Sequence, residues 1–338
     1  MPEIATRREF TVDRVNTLRE ELRHLKEHLG DFACVYATGS YGRCEASKYS
    51  DLDLFIVGKT LVTKSSDGRT RNSRSLSQIR EIEVKAQLIK VARNFGFPEF
   101  SKDGKYLKFY SVHDFLDTLG TEDDDKENTF TARLLLLMES CALTEDGVCG
   151  VYKEIAEQVI DKYWKDYHDH KNDFMPAFFT NDIIRLWRTF CVNYEARTKD
   201  GTPEEKAERK MKNYKLKHSR IMTCFSSILY LLAAYKKRGT VTADDAFNMF
   251  SLEPTRRIEH LIQDDEISLA RSALQMALEQ YEAFLSTTNI PEQQLANQFL
   301  NEKRHAELTA AGNKFGDLIS QALYEIGKNS DFYRTLIV

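Results

Sequence analysis

The sequence has no Cys-x-x-Cys pair, no long apolar run, no Gly-x4-Gly-Lys-Ser/Thr loop and no repeat of fixed period. Each absence removes a class of protein. The six cysteines (Cys34, Cys44, Cys141, Cys149, Cys191, Cys224) are scattered, with no histidine at finger spacing beside the nearest pairs. That excludes a zinc finger or a disulfide framework and points to reduced thiols in a cytoplasmic protein. The most apolar stretch, Ile221 to Tyr235, contains Thr223, Ser226 and Ser227. It is short of a bilayer span and is expected as a buried helix, with no membrane partner. The first ten residues hold no apolar core of a signal peptide, so no secretory signal is expected. Without the glycine-rich loop the chain is not a Walker-type ATPase. Positive charge is also short: 48 Lys and Arg against 52 Asp and Glu give a net charge of −4. Bulk charge therefore cannot coat nucleic acid, although a local basic patch remains open.

What is present is ordinary globular composition, 42% hydrophobic and 30% charged over 338 residues, enough for two domains. Val12, Val15, Leu18, Leu22, Leu25 and Leu29 recur at threes and fours, predicting a helix over 11–29 that Gly30 stops. Strands are predicted at Phe32–Ala37 and Asp51–Val57, then a polar, mobile loop over 59–74 and a helix near 76–95. Phe97–Phe100 is expected to begin a third extended piece, with Asp103-Gly104 turning into Tyr106–Val112. Beyond Asp114 the pattern reads as helical throughout, near 130–142, 148–168, 179–198, 212–237, 241–249, 264–287 and 291–327. The expected fold is α+β: a small mixed-sheet core over 1–120, then an all-helical domain over 121–338. The acidic run Glu122 to Glu127 is the expected solvated linker.

The chemistry is concentrated in Ala37-Thr-Gly-Ser-Tyr-Gly-Arg43 and Tyr49-Ser-Asp-Leu-Asp-Leu-Phe-Ile-Val57. Residues two apart in a strand face the same way, roughly 6.6 Å apart, so Asp51 and Asp53 repel unless a cation stands between them. Magnesium suits a few carboxylates plus substrate oxygens. A strand ending in Gly39-Ser40 lets a helix begin at once, and its N–H groups with the Ser40 hydroxyl can hold a phosphate. Two divalent ions about 4 Å apart would then bridge carboxylates and triphosphate.

This Gly-Ser turn followed by Asp-apolar-Asp-apolar resembles the signature of the DNA-polymerase-β-like nucleotidyltransferase superfamily. The resemblance implies a stand-alone enzyme that binds an NTP or dNTP with two Mg²⁺ or Mn²⁺ ions in a cleft between domains. It would transfer the nucleotidyl group to a hydroxyl and release pyrophosphate. Asp51 and Asp53 would bind metal, Gly39 and Ser40 would hold the triphosphate, and a third carboxylate would come from a later strand. Glu99 is the candidate for that third carboxylate, a catalytic and metal residue, with Asp103 as its competitor. The resemblance also implies a lysine and a serine from the helical domain on the triphosphate, and Lys217 with Ser219 suit that role.

Several residues keep two readings. Arg43 is either a phosphate contact or a solvated surface arginine; Tyr41 stacks on a base or packs under the turn; Ser50 shapes the loop. Asn181, Arg185 and Arg188 recur at helical spacing, either in the cleft or as a surface Asp182–Arg185 pair. Lys206, Arg209, Lys210, Lys212, Lys215, Lys217 and Arg220 form a basic run that fits a solvated helix face or an oligonucleotide acceptor or product. His168 and His170 read as surface residues. The acceptor reading is a short oligonucleotide or nucleotide signal of the antiphage-defence type. Its rivals are nucleotidylation of a protein or small molecule, a non-catalytic nucleotide-binding module, and a scaffold whose helices over 264–327 form an oligomer or an intramolecular hairpin.

Overall fold

The computed structural model describes residues 2–64, 70–100, 104, 107–145, 150–195 and 201–337. They form an α+β protein with two compact units, Arg7–Lys162 and Tyr163–Val338, the latter joined by Met1–Thr6. The change of texture in the sequence lies near residue 120; compactness divides the chain at Lys162. No helix among the described residues is long and apolar enough to cross a membrane.

The first unit is built on a four-stranded sheet. Strands β1 (Ala33–Thr38) and β2 (Asp53–Gly58) are antiparallel, in a register that sets Thr38 opposite Asp53. β5 (Phe109–Ser111) joins β2 in parallel, and β6 (Cys141–Ala142) joins the far side of β1. Alternation sorts the side chains. Val35, Ala37, Leu54 and Ile56 pack into a core with Val15, Leu18 and Leu22 of helix α1 (Pro2–Leu22) and Val84 and Leu88 of α4 (Gln78–Asn94). The other face stacks Tyr36 on Phe55 at 5.3 Å, and the Tyr36 hydroxyl donates to the Ala132 carbonyl of α7 (Thr129–Met138).

Four expectations need correction. The stretch 59–74 is a hairpin, β3 (Thr60–Lys64) on β4 (Thr70–Arg74), with residues 65–69 outside the described set. Its polar strands are held from outside: Arg74 pairs with Glu81 and lies over the Phe109 ring. Second, Phe97–Phe100 is not a strand; the third long-range strand is β5, held at its start by the Phe109 amide donating to Glu81. Asp103 lies outside the described residues. Third, Glu122–Glu127 lies inside the first compact unit and is no linker, although five of its six residues are exposed. Residues Asp123–Lys126 form a helical turn, α6, and the Asp124 carboxylate is fully buried on the Arg133 guanidinium at 2.7 and 2.9 Å. Fourth, the helical stretch beyond Asp114 is interrupted by β6.

The second unit is helical. A capping box of Thr202 and Glu205 with Pro203 at the first turn starts α10 (Pro203–Lys215) nine residues before the expected 212. A π-turn, Leu216–Arg220, carries it into α11 (Ile221–Arg238). The stretch expected as one helix over 291–327 is two, α15 (Glu292–Gln298) and α16 (Glu302–Gly327), because the Asn301 side chain caps the second. α16 packs within the chain on α14 (Ser268–Thr287). None of the five described cysteines is in a disulfide.

Candidate active site

The site grows from the end of β1. At Gly39 the chain takes φ +66°, a left-handed conformation that glycine adopts without strain. The turn then runs through a four-residue helix, α3 (Gly39–Gly42). Because Thr38 lies opposite Asp53, this turn and the start of β2 are neighbours. A Cβ on Gly39 would stand 3.0 Å from Asp53 Oδ2, so the missing side chain is what lets the carboxylate lie against the turn. Asp53 is exposed on β2, and Asp51, two residues earlier and also exposed, precedes the strand. In the same turn as Gly39 the Ser40 Oγ is buried without any hydrogen-bond partner. A buried hydroxyl with a spare proton costs stability unless something outside the protein accepts it.

The loop from the turn to Asp51 is tied down residue by residue. Arg7 donates to the Glu45 carbonyl at 3.1 Å, and the Ala46 amide donates to Thr11 Oγ1 at 2.8 Å. The Ser50 hydroxyl accepts from the Ser47 amide, so Ser50 shapes the loop as expected. Tyr41 packs under the turn, buried and edge-on to Phe97. Burial pushes its phenol up, and the Asp51 carboxylate adds to that shift while Arg14 opposes it.

Arg43 is neither solvated nor open to solvent anions on the sides that the structure fills. Its Nε donates to Glu45 Oε1 at 2.6 Å and its Nη1 to Glu139 Oε2 at 2.8 Å, and all three side chains are buried. A Cβ on Gly42 would stand 2.0 Å from the Glu139 carbonyl oxygen, so the turn and the end of α7 meet backbone to backbone there. Glu139 closes an apolar run, Leu134-Leu-Leu-Leu-Met138, and a carboxylate at the end of such a run is the signal of a buried cationic partner.

Glu99 stands apart. Its side chain is 88% exposed, with Arg93 Nη2 at 3.7 Å. Among the described residues no three His, Cys, Asp or Glu side chains gather closely enough to hold a metal, so Glu99 is not brought together with the two aspartates. β5 meets β2 only over Ile56–Gly58, which leaves no described strand beside Asp53 on that side.

In the helical unit, Lys217 and Ser219 both lie on the π-turn. Lys217 Nζ donates to Asn313 Oδ1 at 3.0 Å, and the Ser219 hydroxyl donates to the Lys215 carbonyl at 2.8 Å. The Asp182 carboxylate is buried, accepting from the Tyr163 hydroxyl at 2.7 Å, with Arg185 at 3.7 Å, while Asn181 and Arg188 are exposed. His168 and His170 are exposed.

The donor set fits a divalent cation with a phosphate chain. Two exposed carboxylates could supply part of a magnesium shell, with substrate oxygens and water for the rest, and Ser40 could offer a proton to a phosphate oxygen. No curated protein and no solved structure matches the chain. The model of the nucleotidyltransferase domain does match, over residues 15–109, a span that runs from α1 through the Gly39 turn and both aspartates to the first residue of β5. This segment is similar to that family, in line with the resemblance to the DNA-polymerase-β-like nucleotidyltransferase superfamily.

Proposed function

We propose that the chain is a metal-dependent nucleotidyltransferase that moves an NMP or dNMP from a nucleoside triphosphate to a hydroxyl, with release of pyrophosphate. The supporting observation is the Asp53 carboxylate 3.0 Å from where a Cβ of residue 39 would stand, in the same turn as the unpartnered Ser40 hydroxyl. Asp51 and Asp53 bind the cations. Ser40 donates to a phosphate oxygen, and the pinned loop from Arg43 to Ser50 keeps Asp51 in step with the turn. Lys217, which has two further N–H protons beyond the one on Asn313, and Ser219 are the further phosphate contacts we propose. Ser219 acts by turning its proton away from Lys215. When bound, two Mg²⁺ or Mn²⁺ ions supply a lowered hydroxyl pKa and charge neutralisation of the triphosphate.

For the acceptor we propose a nucleotide hydroxyl, giving a short oligonucleotide or a nucleotide signal of the antiphage-defence type. Support comes from α10, which buries Ala207, Met211 and Tyr214 and leaves Lys206, Lys212 and their neighbours for a phosphate backbone.

The test is incubation of the purified protein with Mg²⁺ or Mn²⁺ and each radiolabelled NTP and dNTP, alone and mixed, beside Asp51→Asn/Asp53→Asn. A ladder or a new small nucleotide that the double variant does not make supports the proposal. Label on the protein itself moves the acceptor to protein. Turnover retained in the double variant overturns the metal assignment.

A further inference from the structure

The π-turn over Leu216–Arg220 interrupts one long helix, and such wide turns persist only where their surroundings hold them. Here they are held by side chains. His218 is 0% exposed, and its ring lies flat on Phe284 at 4.5 Å and 2°, with Phe315 on the other side at 5.3 Å and 15°. Its Nδ1 is 2.9 Å from the Tyr214 carbonyl; a carbonyl only accepts, so Nδ1 carries the proton. Ser219 gives its hydroxyl proton to the Lys215 carbonyl in the same manner. Backbone of α16 closes the back of the wedge: a Cβ on Gly312 would stand 3.3 Å from His218 Cε1 and 3.7 Å from Lys217 Cβ. The next residue, Asn313, holds Lys217 Nζ.

One detail makes histidine a costly choice here. Its Nε2 is buried with no partner, a penalty that a phenylalanine in the same aromatic slot would not carry. What phenylalanine lacks is the Nδ1 proton for Tyr214. We infer that His218 is a positioning residue for the triphosphate site: its hydrogen bond and aromatic clamp fix the π-turn, and the π-turn fixes the direction in which Lys217 leaves the helix. Lys217 and His218 thus form one unit with Gly312 and Asn313 of α16. The inference rests on the assignment of Lys217 as a phosphate contact made above.

The experiment measures binding of non-hydrolysable ATP, GTP, CTP and UTP analogues with Mg²⁺ by titration calorimetry. The proteins are the full chain, Lys217→Ala, His218→Phe and the double variant. Each single change is expected to weaken binding of the preferred analogue about fivefold or more, and the double variant to bind no more weakly than Lys217→Ala. Turnover should show a raised KM with kcat little changed. His218→Asn, which keeps a donor for the Tyr214 carbonyl, should recover part of the affinity. Should His218→Phe not fold, Gly312→Ala presses on the same ring from behind and is expected to act in the same direction. Unchanged affinity in His218→Phe, or losses that multiply in the double variant, would overturn the inference. If Lys217→Ala binds as the parent does, the Lys217 assignment and this inference both fall. Transfer that depends on Asp51 and Asp53 would still stand in that case.

Discussion

The Asp53 carboxylate stands against the space that a side chain at Gly39 would enter: a Cβ there would lie 3.0 Å from Asp53 Oδ2. The two residues are brought together by the β1–β2 register, in which Thr38 faces Asp53. Gly39 therefore serves twice, through its left-handed φ of +66° and through the space that it leaves.

Gly39→Ala combines both penalties. The left-handed conformation alone costs an alanine about 1–2 kcal/mol. Crowding of Asp53 is the separate effect, and nucleotidyl transfer should drop at least about tenfold even at temperatures where the variant is fully folded, since displacement of a reacting geometry by an ångström can cost still more. Urea denaturation and transfer rates on the same preparation check the two parts.

Arg43→Ala should act on stability first. It removes the guanidinium that both the Glu45 and Glu139 carboxylates accept from, and loss of one partner from a buried ion group costs about 3–5 kcal/mol. Replacing all three, Arg43→Met with Glu45→Leu and Glu139→Leu, should cost less than Arg43→Ala alone. Denaturant midpoints of both variants decide it.

Glu99→Gln separates an exposed surface carboxylate from a third metal ligand. With its side chain 88% exposed beside Arg93, the expected change in transfer rate is within about twofold, as for a surface ion pair. A loss as deep as that of Asp51→Asn would instead assign Glu99 to the metal.

Burial drives the His218 pKa down from 6.5 to about 4, with Lys217 adding in the same direction and the hydrogen bond to Tyr214 opposing. The folded pKa lies below the unfolded one, so the unfolded chain takes up the proton first. Stability from this group is complete above pH 6.5 and is lost as pH falls from there toward 4. The full loss is roughly 3 kcal/mol. His305 is shifted the same way by burial and by Lys210, so the parent must be compared with His218→Phe. The variant should show a shallower fall in unfolding free energy between pH 6.5 and 4.5.

Much of the first unit was legible in the sequence because its elements announce themselves locally. Gly39-Ser40 follows one strand, Asp51-Leu52 leads into another that starts at Asp53 rather than at the expected Asp51, and α4 starts at the Ser77 cap close to its expected position. Local pattern could not supply partners far along the chain. Arg43 reads as a surface cation until Glu139 arrives from 96 residues away. Asp124 reads as one more solvated acid until Arg133 covers it. The hairpin over 60–74 has too few apolar residues to signal strands, and its order comes from Glu81 and Phe109 outside it. The π-turn is hidden for a different reason: one extra residue within a helix leaves composition unchanged and shifts only the phase of the pattern.

The arginine cage around the Gly39 turn also bears on where this chain can be divided. The family match ends at residue 109, yet Arg43 takes its second carboxylate, and Gly42 its close backbone neighbour, from residue 139. Tyr36 gives its proton to residue 132, and β1 has its outer edge covered by residues 141–142. A fragment cut at 109, or at the change of texture near 120, would carry every residue of the aspartate motif and none of these supports. The motif is written in a third of the chain, but the contacts that brace it run on to residue 142, inside a compact unit that ends at Lys162.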